Sequence, residues 1–449
     1  MGSLAHVKKN KGLIKDIFKI SLPSIIDLLA QSLLSFFDMT MVGIKGPSAI
    51  SAVGLGSAAM NVILPAFMSI GIGTVAILSR AYGANNKKEA KESISQSLIL
   101  CIPLSIIVTL IFLIFGSQIV NIIGGNKDLD IVSATSYQNI VSLGYFPLSF
   151  TVIFLSAYRS IEKANIPMTM NIASVFMNII LNYIFIFYLD LGVTGAAIAT
   201  TLSRLIVMFA FVYLTFFTKR YWICMNLKEV FHTNLFMTKR ILRISIPASI
   251  EQLSLRFGML IFEMMVISLG NIAYAAHKIA TMAESFSFNI GFAFSLAAAT
   301  LVGKHLGANN PDKAESSGYG ATFLSVAVMS TMGLLFFIIP GPIISLFTRE
   351  PQTKILATQA LRIVSFCQPF LAASMVLSGA LRGAGSTKSV LFVTFFGIFI
   401  VRLPITYLFI YHFKMGLAGA WWVMTIDLVF RSSICYYFFK KGKWRYINV

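Results

Sequence analysis

Asp38 stands inside a long apolar run, where an ionisable side chain is costly unless it is compensated or put to use. It precedes Lys45, at one end of that run, by seven residues, which in a helix places it about 10 Å inside the boundary. Asn182 precedes Asp190 by eight residues and Thr200 follows Gly192 by eight, while Asn178 lies one turn further in on the face of Asn182. Three separate segments thus bring polar groups to one depth. Such a set suits the exchange of a proton or small cation at a carboxylate, with amides and a hydroxyl as partners. Gln31 and Asp27, seven and eleven residues before Asp38, extend the same face inward. A carboxylate facing neutral amides, with no cation beside it, is costly to keep charged, and taking up a proton frees its helix to repack. Pro23 removes one hydrogen bond from that helix and offers a place to bend. The four cysteines, Cys101, Cys224, Cys367 and Cys435, lack CxxC spacing and the five histidines do not cluster, so no metal, disulfide framework or cofactor is expected.

The elements that position these groups follow from composition. Of 449 residues 57% are hydrophobic and 12% charged, against about 25% charged in soluble domains. Apolar runs between charged or Gly, Pro and Asn punctuation predict twelve spans, from 18–44 to 417–439, each long enough for a bilayer core of about 30 Å. The first run is too long for a cleavable leader and lacks a small-residue cleavage pattern. Alternate connections carry 25 of the 36 Lys and Arg residues, and the opposite set carries six. The positive-inside rule therefore predicts a multi-pass plasma-membrane protein with both termini cytoplasmic. The net charge of +19 is a topology signal, and nucleic acid is not an expected partner.

The chain also repeats itself at an offset of 224. Ile20-Ser21-Leu22-Pro23 returns as Ile244-Ser245-Ile246-Pro247, Gly83-Ala84-Asn85-Asn86 as Gly307-Ala308-Asn309-Asn310, and Gly192, Gly195 and Ala196 as Gly416, Gly419 and Ala420. Six spans per half make the repeats parallel, related by an axis along the membrane normal. The expected fold is an all-α integral membrane protein of twelve transmembrane helices: a six-helix lobe at 1–217, a cytoplasmic linker at 218–241 and a second six-helix lobe at 242–449, with a substrate path between the lobes. In the Gly-Ala-Asn-Asn turns, Gly is expected to supply positive φ and Asn to accept it. They lack the Gly-Lys-Ser/Thr ending of a phosphate loop.

In the second half Glu263 sits seven residues before Gly270, and the repeat places Arg402 opposite Asn178 and Thr406 opposite Asn182. A Glu263–Arg402 ion pair is the inferred outcome. Glu251, Glu284, Arg256 and Lys278 are further charges that either line the path or pair among themselves, and Asp427 and Arg431, at i,i+4, are read as a local pair.

The paired Gly-Ala-Asn-Asn turns carry a family resemblance together with Ala380-Leu381-Arg382-Gly383-Ala384-Gly385, its echo Ala157-Tyr158-Arg159-Ser160, and Leu191-Gly192-Val193-Thr194-Gly195-Ala196. On these the chain resembles the multidrug and toxic compound extrusion (MATE) family over essentially its whole length. Pro247-Ala248-Ser249-Ile250-Glu251-Gln252 resembles the DinF-like bacterial branch most. The resemblance implies a twelve-helix antiporter, expected as a monomer, that expels small organic cations from the cell using protons or sodium as the coupling ion. It implies that the coupling site falls on Asp38, Asn178, Asn182 and Thr200, with Asn182 where relatives carry a second acid. It further implies that the two acids of sodium-driven NorM-type relatives fall on Leu255 and Leu371. Two other readings remain open: a lipid-linked oligosaccharide flippase of the same superfamily, and a membrane-embedded transferase. The first calls for unpaired arginines, of which the first half offers chiefly Arg204, and the second calls for clustered acids.

Overall fold

A computed structural model describes residues 11–124, 130–230, 232–447 and 449. Lys8, Lys9 and Lys127, counted above for orientation, lie outside them. The described residues form helices and connections, with no strand among them. Backbone N–H and C=O groups in a bilayer core find no water, so an apolar run of this length is satisfied only by bonding within itself.

The long helices are α1 (Lys11–Gly43), α2 (Pro47–Gly83), α3 (Lys87–Gly124), α4 (Ile131–Leu143), α5 (Tyr145–Ser160), α6 (Asn165–Asn182) and α7 (Gly192–Val212) in the first half. The second half supplies α8 (Leu235–Ile267), α9 (Asn271–Gly307), α10 (Pro311–Ile338), α11 (Pro351–Gly383), α12 (Thr387–Phe395, continuing to His412) and α13 (Gly416–Lys441). Helices α4 and α5 meet at Gly144 with a bend of 48° and together have the length and apolar character of a span. Among the described residues nine helices are long and apolar enough to cross a membrane, ten with that bent pair. Helices α8 and α13 complete the expected twelve but carry charges along their length, Glu251, Arg256 and Glu263 in one and Asp427 and Arg431 in the other. Pro47, Pro311 and Pro351 open their helices, where the missing N–H has no intrahelical partner to lose. Pro23 and Pro247 lie inside α1 and α8 at the repeat offset.

The repeat is written in the backbone as well. Left-handed conformations pair at the same offset: Asn85 with Asn309 (φ 53° and 52°), Asp190 with Lys414 (53° and 51°) and Gly192 with Gly416 (54° and 60°). In the Gly-Ala-Asn-Asn turns it is therefore Asn that adopts positive φ, not Gly83 or Gly307, which end their helices right-handed. Asn tolerates this region because its short side chain bonds locally. A π-helical stretch at Tyr183–Tyr188 is matched by one at Leu408–His412. Each half has a second π stretch without a counterpart at that offset, Tyr213–Phe217 in the first and Phe396–Arg402 in the second.

The chain divides into two compact units, Ile26–Ser245 and Ile246–Val449, with α1 up to Ile25 joining the latter. In the first, Val42, Tyr137, Val141, Ile186 and Ala197 form a core at the Gly43 end of α1. In the second, α9 and α11 approach closely at Gly379 and Gly383, where an added Cβ would stand 2.2 Å from Ser295 Oγ and 2.1 Å from the Ala299 carbonyl oxygen.

Candidate functional site

Within the first unit α1 and α6 bring Asp38 and Asn182 together. Asn182 Nδ2 donates to Asp38 Oδ1 at 2.6 Å and to Asn178 Oδ1 at 2.9 Å. Both asparagines are buried, and Asn182 Oδ1 has no hydrogen-bond partner. Asn182 is the last α-helical residue before the π stretch Tyr183–Tyr188. Departures of this kind recur at functional sites. Thr200, on α7, stands instead beside the Tyr137 hydroxyl, which Ser57 approaches at 3.5 Å.

The carboxylate is not free of cations, as the sequence had suggested. Arg204, one turn beyond Thr200 on α7, interacts electrostatically with Asp38, Tyr137 and Tyr145. Its Nη2 rests on Met60 Sδ at 3.4 Å and its Nη1 is buried without an acceptor. Tyr137, Ser57 and Arg204 thus join the site. The i,i+4 spacing of Thr200 and Arg204 was the available signal for the last of them.

Asp27 belongs to a different cluster. It is 1% exposed and accepts from Arg159 Nη2 at 2.6 Å, Asn171 Nδ2 at 2.6 Å and Gln31 Nε2 at 2.9 Å. The face shared with Asp38 is real, but eleven residues of helix put about 16 Å between the two groups. Asp27 ties α1 to α5 and α6. The second unit repeats the arrangement: Glu251, fully buried, accepts from Arg382 through Nη2 and, at 3.2 Å, through Nε, and from Thr394 Oγ1 at 3.3 Å. Glu251 follows Asp27 by 224 residues, and Arg382 and Thr394 follow Arg159 and Asn171 by 223. Asp27 with Gln31, and Glu251, thus stand in a pair of mirrored latches.

The inferred Glu263–Arg402 pair does not form. Glu263 pairs with Lys278 and accepts from Tyr274 Oη at 2.8 Å, all near the junction of α8 and α9. Arg402 is 2% exposed, so it does not reach outward either, and its Nε lies 2.9 Å from Asp427 Oδ2. Arg431 bonds the same oxygen, the local i,i+4 pair read from the sequence. Arg402 closes the π turn Phe396–Arg402, whose i→i+5 hydrogen bonds change the side-chain directions that α-helical spacing assumes. Thr406 is buried and bonds back to the Arg402 carbonyl at 2.7 Å.

A cavity of about 380 Å³ lies inside this second unit. Arg402, Arg431 and Glu284 line it, with Leu255 and Leu371 in its apolar wall.

Comparison with known proteins now bears on these observations. The sequence model of the MatE family matches residues 23–184 and again 247–408, an offset of 224. A relative from Thermotoga maritima, described as a probable multidrug resistance protein NorM, is 30% identical over 96% of this chain and 93% of its own length. An uncharacterized transporter YisQ of Bacillus subtilis is 25% identical over 95% and 94%. A solved structure described as the outward-facing conformation of a multidrug resistance MATE family transporter of the MOP superfamily matches with a TM-score of 0.91, covering 97% of each chain at 23% identity. A MOP superfamily transporter from Pyrococcus furiosus matches at 0.90, covering 96% of this chain and 95% of its own at 24% identity.

Proposed function

This chain belongs to the MatE family of multidrug efflux transporters, and on that premise we propose that it exports small cationic amphiphiles in exchange for protons, with Asp38 as the group that trades its charge. It is a multi-pass membrane protein. In the proposed reading it sits in the plasma membrane as a monomer, both ends cytoplasmic.

The observation that carries the reading is the amide facing Asp38. Ionised, Asp38 accepts from Asn182 Nδ2. Protonated, its hydroxyl needs an acceptor, and the unpartnered Asn182 Oδ1 is one. Rotation of a single amide therefore serves both states, since its ends are a donor pair and an acceptor. A second carboxylate at this position would accept only. The role of Arg204 fits the same cycle. Arg204 and a bound cation share the ionised carboxylate, and protonation from outside removes the charge that both hold. The export step then follows: the cation loses its counter-charge as Asp38 is neutralised, and α1 repacks. Neither relative described above is named as a flippase or transferase.

The test is uphill ethidium export in proteoliposomes under an imposed proton gradient, at several sodium concentrations. Asp38→Asn is expected to abolish export at normal incorporation, with sodium unable to replace the proton. Undiminished uphill export by that variant would remove Asp38 from the mechanism. Export driven by a sodium gradient alone would reassign the coupling ion.

A further inference from the structure

We infer that the cavity inside the second unit binds an anionic amphiphile, an aryl or alkyl carboxylate or sulfonate, and that Glu284 takes up one proton as the anion enters. The inference goes beyond cation export and concerns a site separate from Asp38.

The charges on the cavity wall decide what it can hold. Glu251 and Arg382 line the cavity but neutralise each other. Arg402 and Arg431 also line it and share one carboxylate oxygen of Asp427. Two guanidiniums on one carboxylate leave a surplus positive charge. The remaining charge on the wall is Glu284, 7% exposed and with no hydrogen bond or ion pair among the described residues. Arg402, from α12, reaches it through space, and Cys367, on α11, also faces it. On its own helix Lys278 is taken by Glu263, and His277 lies two turns away.

With Glu284 ionised the wall is neutral. A cation would pair with Glu284 and strand the surplus guanidinium charge, and an uncompensated buried charge is strongly unfavourable. An anion takes up that surplus instead. Glu284 then lacks its balancing charge and holds a proton. Anion and proton together leave no charge uncompensated.

Donors for the anion are already open. Arg402 Nη1 rests at 3.3 Å on Met259 Sδ, a weak acceptor that an oxyanion outcompetes. Arg431 Nε is buried without a partner. Around them Met259, Met375, Met424, Phe288 and Phe292 give a deformable apolar wall for a ring or chain. The cavity volume falls within the range of small-molecule sites, about 300–1,000 Å³.

Calorimetry on the purified full-length chain tests this, using two probes of fixed charge, naphthalene-2-sulfonate and naphthyl-trimethylammonium. Titrations run at several pH values in buffers of different ionisation heat. The sulfonate is expected to bind at least ten-fold more tightly than the ammonium, with uptake approaching one proton and affinity falling as pH rises. Glu284→Gln should abolish the uptake and tighten sulfonate binding at least ten-fold at high pH. Arg431→Met should weaken it at least ten-fold. Asp38→Asn should leave both binding and uptake unchanged, which separates failure here from failure of the coupling mechanism. Preference for the ammonium, no sulfonate binding at any pH, or proton uptake that survives Glu284→Gln would overturn the inference. The wild-type uptake decides it even if a variant fails to fold.

Discussion

The Asp27 latch offers the most quantitative test. Asp27→Asn keeps the size of the side chain and removes its charge, leaving the Arg159 guanidinium, 13% exposed, without a counter-ion. Breaking a buried pair from one side costs about 3–5 kcal/mol. Taking roughly 2–4 °C per kcal/mol for chains of 150–250 residues, the apparent melting temperature in detergent should fall by about 6–20 °C. Arg159→Met alone should cost less, since Asp27 keeps donors from Asn171 and Gln31. The double variant retains those amide contacts and strands no charge, so a double-mutant cycle should return a coupling of about 2 kcal/mol, within the range for contacting groups. The mirrored latch provides an internal replicate. Glu251→Gln with Arg382→Met should behave with the same sign and a similar size, because Glu251 is as buried and as multiply bonded. The assay is loss of monodisperse protein after heating, read by size exclusion. Additive single effects at both latches would refute the reasoning, since they would mean that neither acid is held mainly by its arginine.

Three further expectations follow from the same geometry. Glu263 and Lys278 are both partly exposed, so their cycle should give only about 0.2–1 kcal/mol, and a Glu263–Arg402 coupling larger than that would restore the pairing that the structure rejects. Asn85→Ala and Asn309→Ala should each destabilise by about 1–2 kcal/mol, the penalty for a Cβ in the left-handed region, whereas Gly at either position should be tolerated in the same melting assay. The hydrogen bond and charge of Lys45 hold the exposed Asp190 carboxyl below its ordinary range. Its contribution to stability is present above the unfolded value, about 3.9, and is lost as pH falls through the lower folded one. Asp190→Asn should therefore flatten the acid limb of a melting-temperature–pH profile, and an unchanged limb would assign that loss to other carboxyls.

Which of these groups meet was only partly legible in the chain. Apolar runs of about 20 residues dictate helices, because a lipid-exposed backbone is satisfied within a helix or a closed barrel and barrel strands are about half that length, and the offset of 224 survives into paired left-handed turns and paired π stretches. Helical spacing gives the face of a residue but not its partner. Asp27 shares a face with Asp38, yet the rise per residue already separates them by three turns. The partners were recoverable from the repeat, because Asp27, Arg159 and Asn171 have numbered counterparts in Glu251, Arg382 and Thr394. The lapse of that offset to 223 marks one residue fewer in the second half before Arg382, its return to 224 by Gly416 marks one residue added after Thr394, and the π turn Phe396–Arg402 can hold that addition. Numbering placed Arg402 where Asn178 stands, and the π turn aims it at Asp427 instead. The added residue marks the point at which the two halves part near Arg402. The latches, which precede it, remain alike, while beyond it one unit keeps an acid facing amides and the other gathers arginines. Deleting a single residue from Phe396–Arg402 should bring Arg402 back to the face of Asn178, away from Asp427 and from the cavity, and with it the affinity for a sulfonate should be lost.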